Sequence, residues 1–489
     1  MQATKLGKKV IVIEPTGRIG GLTAGGLGDT DHGKIATIGG LALDFYRRVG
    51  KKYKYKEPVW QFEPSVALSV FNDLVNEFKI KVVYNERLDL NNGVVKESNR
   101  IMSIRMESGN IYSGKIFIDT SYEGDLMAKA GVTYFVGREP NLLYGETTNG
   151  IRLKDKNELP DGIDPYVVPG NPLSGLLPRV MRDAGGNTGE GDKNIQAYCF
   201  RMCLTDSAEN RIIIQKPDGY NELDYELLFR ALEKGMPKDR CFKLHLVGNR
   251  KTDSNNHYGI STDYNGANYE YPEADYKTRD KIRRKHEIYQ KGYVWTVQNH
   301  PRVPKEVRDY YAAWGLPKDE FIDNGNWTPQ LYVRESRRMV SDYIVTENIV
   351  RLNEKVDDPV GLGSYAMDSH HTQYCLDKEG YVRTEGGFYH PLKQPYQISY
   401  KVIVPKKKDC QNLFVPLCVS STHAAYGSIR MEPVFMILGQ SAATAASLCI
   451  DHKIAVQDLD YLLLEKILIK DHQILTNNDS IEYKVNAFE

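Results

Sequence analysis

The chain has 489 residues, 64 Lys plus Arg against 64 Asp plus Glu, and seven cysteines. Zero formal net charge gives no general attraction to nucleic acid or to an anionic membrane, and no basic cluster is longer than Lys406-Lys407-Lys408. The length passes the roughly 250–300 residues at which single cores stop growing, so more than one domain is expected.

Other features narrow the class further. No apolar run approaches the ~20 residues of a membrane span, and no spacing reads as a metal ligand set. The cysteines form no C-x-x-C pair and read as buried free thiols, with Cys199 and Cys203 spaced for one helical face. Tyrosines number 32 against 14 phenylalanines, an amphipathic excess that suits wet clefts as well as half-buried surfaces.

Met1 to Gly7 reads as the last turn of a helix closed by Gly7. Val10 to Ile13 is a β-branched run, expected as a strand buried on both faces of a parallel sheet and ending in Glu14. A glycine loop follows, from Gly17 to Gly26, and then a helical patch from Leu41 to Val49. Pro64 opens a helix whose Val66, Val70, Phe71, Leu74, Val75 and Phe78 form one apolar stripe. Ile80 to Tyr84 is the next strand, which makes a βαβ fragment without its first strand and without a G-x-G-x-x-G turn.

From Asn91 short alternating strands (93–96, 101–106, 110–113) form an antiparallel meander. Residues 115–119 return to a buried strand, and Thr120-Ser121-Tyr122-Glu123-Gly124-Asp125 leads into a helix at Leu126. That turn is either an anion or sugar-hydroxyl site or an ordinary cap with Ser121 or Asp125 as capping residue. Residues 141–395 read as an inserted α+β region, with helices at 222–234 and 279–295. Three polar segments there, 249–257, 332–338 and 368–371, are exposed loops or parts of a polar substrate pocket. The chain then returns to sheet at 413–417, a small-residue loop at 418–430, and a helix at 434–450. The alanines of that helix fit a buried position against sheet backbone or a flat ligand.

These pieces together resemble a known family. Strand-Glu-Pro…Arg-x-Gly-Gly-x-Thr, the meander, Phe-Ile-Asp-Thr-Ser-Tyr-Glu-Gly-Asp-Leu and Gly-Ser-Ile-Arg-Met-Glu-Pro…Gly-Gln-Ser-Ala-Ala-Thr-Ala-Ala are similar to FAD-dependent oxidoreductases with a glutathione-reductase-type FAD domain. The resemblance is to a bacterial branch sometimes labelled xanthan lyases and spans nearly the whole chain. It implies an α/β fold: a doubly wound FAD/NAD(P)-binding sheet with a β-meander, lacking its first strand as in an N-terminally truncated chain, plus an inserted substrate or cap domain. The expected division is 1–140, 141–395 and 396–489.

By the same resemblance Glu14 binds the adenosine ribose, and Arg18, Gly20, Gly21, Thr23, Gly25 and Gly26 line the pyrophosphate and flavin. Thr120, Gly124 and Asp125 sit near the adenine or pyrophosphate half. Gly427, Ser428, Ile429, Met431 and Glu432 face the isoalloxazine and ribityl chain. The sequence departs from the family where Cys418-Val419-Ser420 stands in place of a Gly-Asp that holds a ribityl hydroxyl.

The function expected is hydride transfer from a polar small molecule, carbohydrate-derived in one version, to FAD. His423 is the preferred base, since histidine titrates near neutrality and this one sits in the loop expected to pass the flavin; a backbone-bonded loop histidine is the plainer reading. His257, Arg334 and Arg430 are second candidates for orienting substrate. The alternatives are a cofactor-deficient remnant that binds a ligand, and a polysaccharide lyase. The expected compartment is cytoplasmic as the chain stands, or periplasmic or secreted if a missing N-terminus carried a signal peptide.

Overall fold

Four short parallel strands frame the first and last parts of the chain in the computed structural model, which describes residues 1–153, 158–352 and 354–477. Ile11–Ile13 pairs with Lys81–Val83, and Phe117–Ile118 pairs with Leu413–Phe414 across nearly 300 residues of intervening chain. Ile13 packs against the cluster that contains Phe117, Met127 and Leu413, so the two pairs share one apolar layer. The first strand differs from expectation: Ile11 is 49% and Val12 37% exposed, not buried on both faces. Its ladder has one neighbour among the described residues, and β-branched side chains are covered only where adjoining elements exist to cover them.

Pro64–Glu77 forms as its stripe requires, with Pro64 in the first turn and Ala67, Val70 and Leu74 buried. Gly40–Lys52 packs beside it, and both feed a core of Phe45, Tyr46, Trp60 and Phe62. The meander is present as Val94–Glu97, Arg100–Arg105 and Ile111–Ser113, all antiparallel.

The middle of the chain holds the largest core cluster. It includes a three-stranded antiparallel sheet (Met202–Thr205, Lys251–Ser254, His245–Gly248) and a long helix, Tyr276–Asn299, that packs on the Cys199–Phe200 strand. Asp275 caps that helix, its side chain accepting from Thr278 N at 2.7 Å. Tyr220, Tyr225, Tyr289 and Tyr264 stack in turn, with centroids 5.0, 5.6 and 4.1 Å apart. Much of the tyrosine excess therefore serves packing. Cys199 and Cys203 lie on strands here, not on one helical face, because backbone pairing with 331–332 and 251–254 holds them extended.

Two further corrections fall in the return segment and the 120–125 turn. The expected loop before Arg430 contains a helix, His423–Ile429, capped by Thr422 and buried along its length. The helix at Asp125–Lys129 is capped by Gly124 in a left-handed conformation, without a side-chain cap bond. Asp119 instead accepts from Ser121 and from Met127 N, which satisfies a helix donor from the strand end.

Glu432–His452 is long and apolar enough to cross a membrane, the one such helix among the described residues, yet most of it is buried inside the fold. It packs closely on the Pro359–Gly363 strand, where Gly361 leaves room for the Ile437 side chain of the helix. Ser441 Oγ reaches Val360 O at 3.1 Å. Ala442, Ala445 and Ala446 are buried in the apolar cluster around this helix.

Candidate functional site

Three distant segments meet at the start of the Glu432–His452 helix. Thr23 Oγ1 donates to Glu432 Oε2 at 2.7 Å, and Tyr122 OH donates to Glu432 Oε1 at 2.9 Å while accepting from Leu22 N at 2.9 Å. Burial pushes the Glu432 carboxyl above the usual carboxylate range, against the two hydroxyl bonds that favour its ionised form. Gly21 can lie here only as glycine: its φ is +50°, and a Cβ would stand 2.6 Å from the Tyr122 hydroxyl. Gly20 is the left-handed residue ahead of this short turn, and Gly25 and Gly26 seat the following loop against Gln330 and the backbone of Arg201.

Other residues expected at a cofactor lie around this meeting point with varied partners. Glu14, at the strand end, accepts from Thr16 N and Oγ1 at 2.9 and 2.7 Å, both on the same oxygen. Arg18 pairs with Asp323 at 2.6 Å and lies over Phe321, and its buried Nε has no hydrogen-bond partner. Thr120 is exposed. Asp125 belongs to an ion network: burial pushes its carboxyl up, but Arg279 and Arg337 outweigh that and hold it below the usual range. Gly427 lies against the backbone of Asp368, where a Cβ would meet its carbonyl oxygen at 2.7 Å. Ser428 Oγ donates to Tyr365 O, and Ile429 and Met431 are fully buried.

A second cluster adjoins the first through Leu22, Leu27, Cys199 and Tyr332, with Tyr122 packed on them. Three guanidiniums surround the Tyr332 ring: Arg334 at 4.5 Å, Arg201 and Arg430 at 5.8 Å. Arg430 Nη1 donates to Tyr332 OH at 2.7 Å, and Nη2 donates to Asp368 O at 3.1 Å. Arg201 clasps Asp253, whose carboxylate also accepts from Gly28 N and Asp29 N, so the glycine loop is docked on the middle region. Arg334 holds Asp263 at 2.9 Å, and Asp263 holds His370 Nδ1 at 2.6 Å. Asp31 and Tyr365, linked at 3.1 Å, stand at the more open side. The buried Nε atoms of Arg334 and Arg430 have no partner.

Behind this cluster lies a deeper ionic layer. His423 Nδ1 meets Glu335 at 2.7 Å, its Nε2 meets Ser369 Oγ at 3.2 Å, and its backbone N donates to Glu139 at 3.0 Å. Arg338 bridges Glu335 and Glu139 at 2.7 and 2.5 Å. Burial works to raise the Glu335 carboxyl, but His423 and Arg338 together lower it to about 2.

Arg334 and Arg430 thus come together around Tyr332, and His423 sits one layer deeper. His257 lies apart, half-buried between Arg240 and the Asp239 carbonyl; burial and Arg240 lower its affinity for a proton. Sequence reasoning missed Tyr122, Arg201, Tyr332, Asp263 and His370 as site residues. The segments 332–338 and 368–371 stood out as polar, but nothing in their spacing singled out Tyr332 or His370. Asp263 carried no signal at all.

A family model described as FAD dependent oxidoreductase matches residues 1–468. Neither a curated protein nor a solved structure matches the chain.

Proposed function

Because the chain belongs to the FAD-dependent oxidoreductase family, we propose that it takes a hydride from a polar small-molecule substrate held at the Tyr332 cluster. The observation that carries this reading is the adjacency of two groups of residues. The glycine-loop, Tyr122 and Glu432 segments meet at one point, and the Arg201, Arg334 and Arg430 cluster begins beside it.

The residues fit FAD. A strand-end carboxylate at Glu14 suits a ribose, and the left-handed Gly20–Gly21 turn with the unpartnered Arg18 Nε suits a pyrophosphate. Thr23, Tyr122 and Glu432 stand where the start of a long helix favours negative charge on a ligand. When bound, FAD supplies the two-electron acceptor.

The protein's own contribution is orientation and proton handling. Arg334 and Arg430 keep buried donors without protein partners, which suits them to substrate oxygen atoms. Tyr332 offers its ring face, and Asp31 and Asp368 accept from substrate hydroxyls. The mixture of guanidinium and carboxylate groups fits a polyhydroxylated molecule, consistent with a carbohydrate-derived substrate.

The test is spectroscopic. The purified protein should carry about one FAD per chain, and anaerobic addition of glycerol, myo-inositol, D-glucose, D-gluconate or glycolate should bleach its visible bands with at least one member of the set. A colourless preparation that takes up no added FAD sinks the reading and favours a ligand-binding remnant.

A further inference from the structure

We propose that the substrate is a hydroxy acid whose carboxylate is received by Tyr332, Arg430 and Arg334 at the inner end of the cluster. This rests on the hydride-transfer reading above and names the class of molecule acted on. The three side chains together offer hydrogen-bond donors. The Tyr332 hydroxyl accepts from Arg430 Nη1 at 2.7 Å, and its own hydrogen reaches no acceptor among the described residues. Burial raises the phenol above its ordinary range, against the pull of Arg430, so the hydroxyl keeps that hydrogen at neutral pH. Arg334 uses Nη1 on Ala197 O at 2.5 Å and Nη2 on Cys199 Sγ and Asp263 at 3.2 and 2.9 Å, and its buried Nε has no partner. Arg430 leaves its Nε unpartnered as well. Arg201 adds a fourth donor, Nη1, which makes no hydrogen bond among the described residues and stands 3.9 Å from Asp31 Oδ2.

Charge points the same way. Arg201 has the Asp253 carboxylate at 2.5 Å, and Arg334 has that of Asp263 at 2.9 Å. Arg430 is as deeply buried as Arg201, yet its hydrogen bonds go to neutral oxygens, Tyr332 OH and Asp368 O, and the Asp368 carboxylate stands 3.6 Å away. Burying a guanidinium is costly unless a counter-charge meets it in direct contact. A ligand carboxylate beside Arg430 supplies that contact. Its two oxygens, with about four lone-pair sites, can also take hydrogens from Tyr332 and from the Nε atoms.

A neutral polyol suits this inner end less well. Each of its hydroxyls brings a hydrogen that needs an acceptor, and the Asp253 carboxylate already accepts from Arg201, Gly28 N and Asp29 N. The hydroxyl end of the molecule belongs toward Asp31, whose side chain is 32% exposed and accepts from Tyr365 at 3.1 Å, where the cluster meets solvent.

The experiment uses matched pairs that differ only in a carboxylate against a CH₂OH group: D-gluconate with D-glucitol, D-glucuronate with D-glucose, and glycolate with ethylene glycol. Calorimetric titration of the protein as purified should show, in at least one pair, an acid bound at least tenfold more tightly than its neutral partner. Arg430→Gln should weaken that acid roughly 10–150-fold, the range for a hydrogen bond to a charged group, and leave the neutral partner within threefold. Tyr332→Phe should weaken the acid roughly tenfold. Where Arg430→Gln fails to fold, Tyr332→Phe and Arg430→Lys carry the same comparison. The proposal is overturned if no acid exceeds its neutral partner tenfold, which makes water the partner of these donors, or if the preference survives in both the Arg430 and the Tyr332 variants. Anaerobic bleaching separates this outcome from the hydride reading. An acid that binds with the expected preference but leaves a bound flavin oxidised sinks the hydride reading and keeps the carboxylate site. A neutral partner that binds and bleaches better than its acid does the reverse.

Discussion

Two buried polar layers lie back to back, built from the same residue types and used in opposite ways. In the deeper layer Arg338 donates to Glu335, Glu139, Gly137 O and Ser421 O, while His423, Gln196 and Asn149 fill the remaining carboxylate positions. None of the side chains of Arg338, Glu335, Glu139 or His423 leaves a buried polar atom without a partner. In the layer around Tyr332, Arg334 and Arg430 each leave Nε unpartnered at 1% and 4% exposure. Buried polar atoms are nearly always hydrogen-bonded, so two retained donors beside one aromatic ring fit a surface completed by a ligand or by water. Charge and burial alone do not separate the two layers; unpartnered donors do so here only together with their place around Tyr332, since Arg179 Nε, Arg383 Nη1 and Trp327 Nε1 are unpartnered elsewhere.

The sharpest way to break that contrast is at Arg338. Arg338→Ala leaves Glu139 and Glu335 buried without their cation, and removing one member of a buried ion pair costs about 3–5 kcal/mol. Urea unfolding should show a loss of that size, and a loss under 1 kcal/mol would show that this layer is not scaffold. Acid probes the same layer without mutation. Glu335 titrates at about 2 in the folded chain, against ~4.3 for an unperturbed glutamate. Its stabilisation is complete above pH ~4.3 and lost as pH falls through about 2, up to roughly 3 kcal/mol for two units. Glu432 runs the other way, because its raised affinity for a proton makes acid relieve the cost of burying its charge. Unfolding free energies measured between pH 7 and 3 should therefore fall chiefly below pH ~4.5.

The Tyr332 layer should respond in function before stability. Arg430→Lys keeps the charge but not the fork that reaches both Tyr332 OH and Asp368 O. The fold should lose no more than about 1.5–3 kcal/mol, the range for one charged hydrogen bond. Flavin bleaching by the substrate set should slow at least tenfold with flavin content unchanged. Equal slowing and unfolding would place Arg430 in the scaffold.

How much of this was legible in the sequence follows from the range of each interaction. The meander, the Pro64 helix and the end of the Glu226–Glu233 helix could be read, since alternation, a stripe and Gly235 are local signals, although the α-helical part of the last starts four residues later than the expected 222. The burial of Ile11 and Val12 could not be, because it depends on neighbouring strands that the local pattern does not specify. The His423–Ile429 helix was hidden by Gly427 and Ser428, while Thr422 and two alanines set it locally. Among the site residues Arg334 and Arg430 were named from segments that stood out. His370 and Asp263 are 107 positions apart, and only the fold makes them partners.

The smallest effect expected separates the two layers from the third polar group, at Glu432. Tyr122→Phe removes one hydroxyl that both donates to Glu432 and accepts from Leu22 N. Two neutral or weakly charged bonds are lost, but Leu22 N belongs to a short turn and its neighbour Gly21 is only half-buried, so water can replace part of them. Stability should fall by about 1 kcal/mol. Flavin affinity should fall by a few fold if Tyr122 serves chiefly to hold the glycine turn in place for the cofactor. Titration of the flavin-free protein with FAD, followed by fluorescence quenching, measures that affinity directly. An unchanged affinity with the same stability loss would make Tyr122 a packing residue, and would leave Thr23 and Glu432 as the side chains of this trio still assigned to the cofactor. A larger loss of affinity than of stability would put this trio with the Tyr332 layer, as residues whose bonds are completed by a ligand.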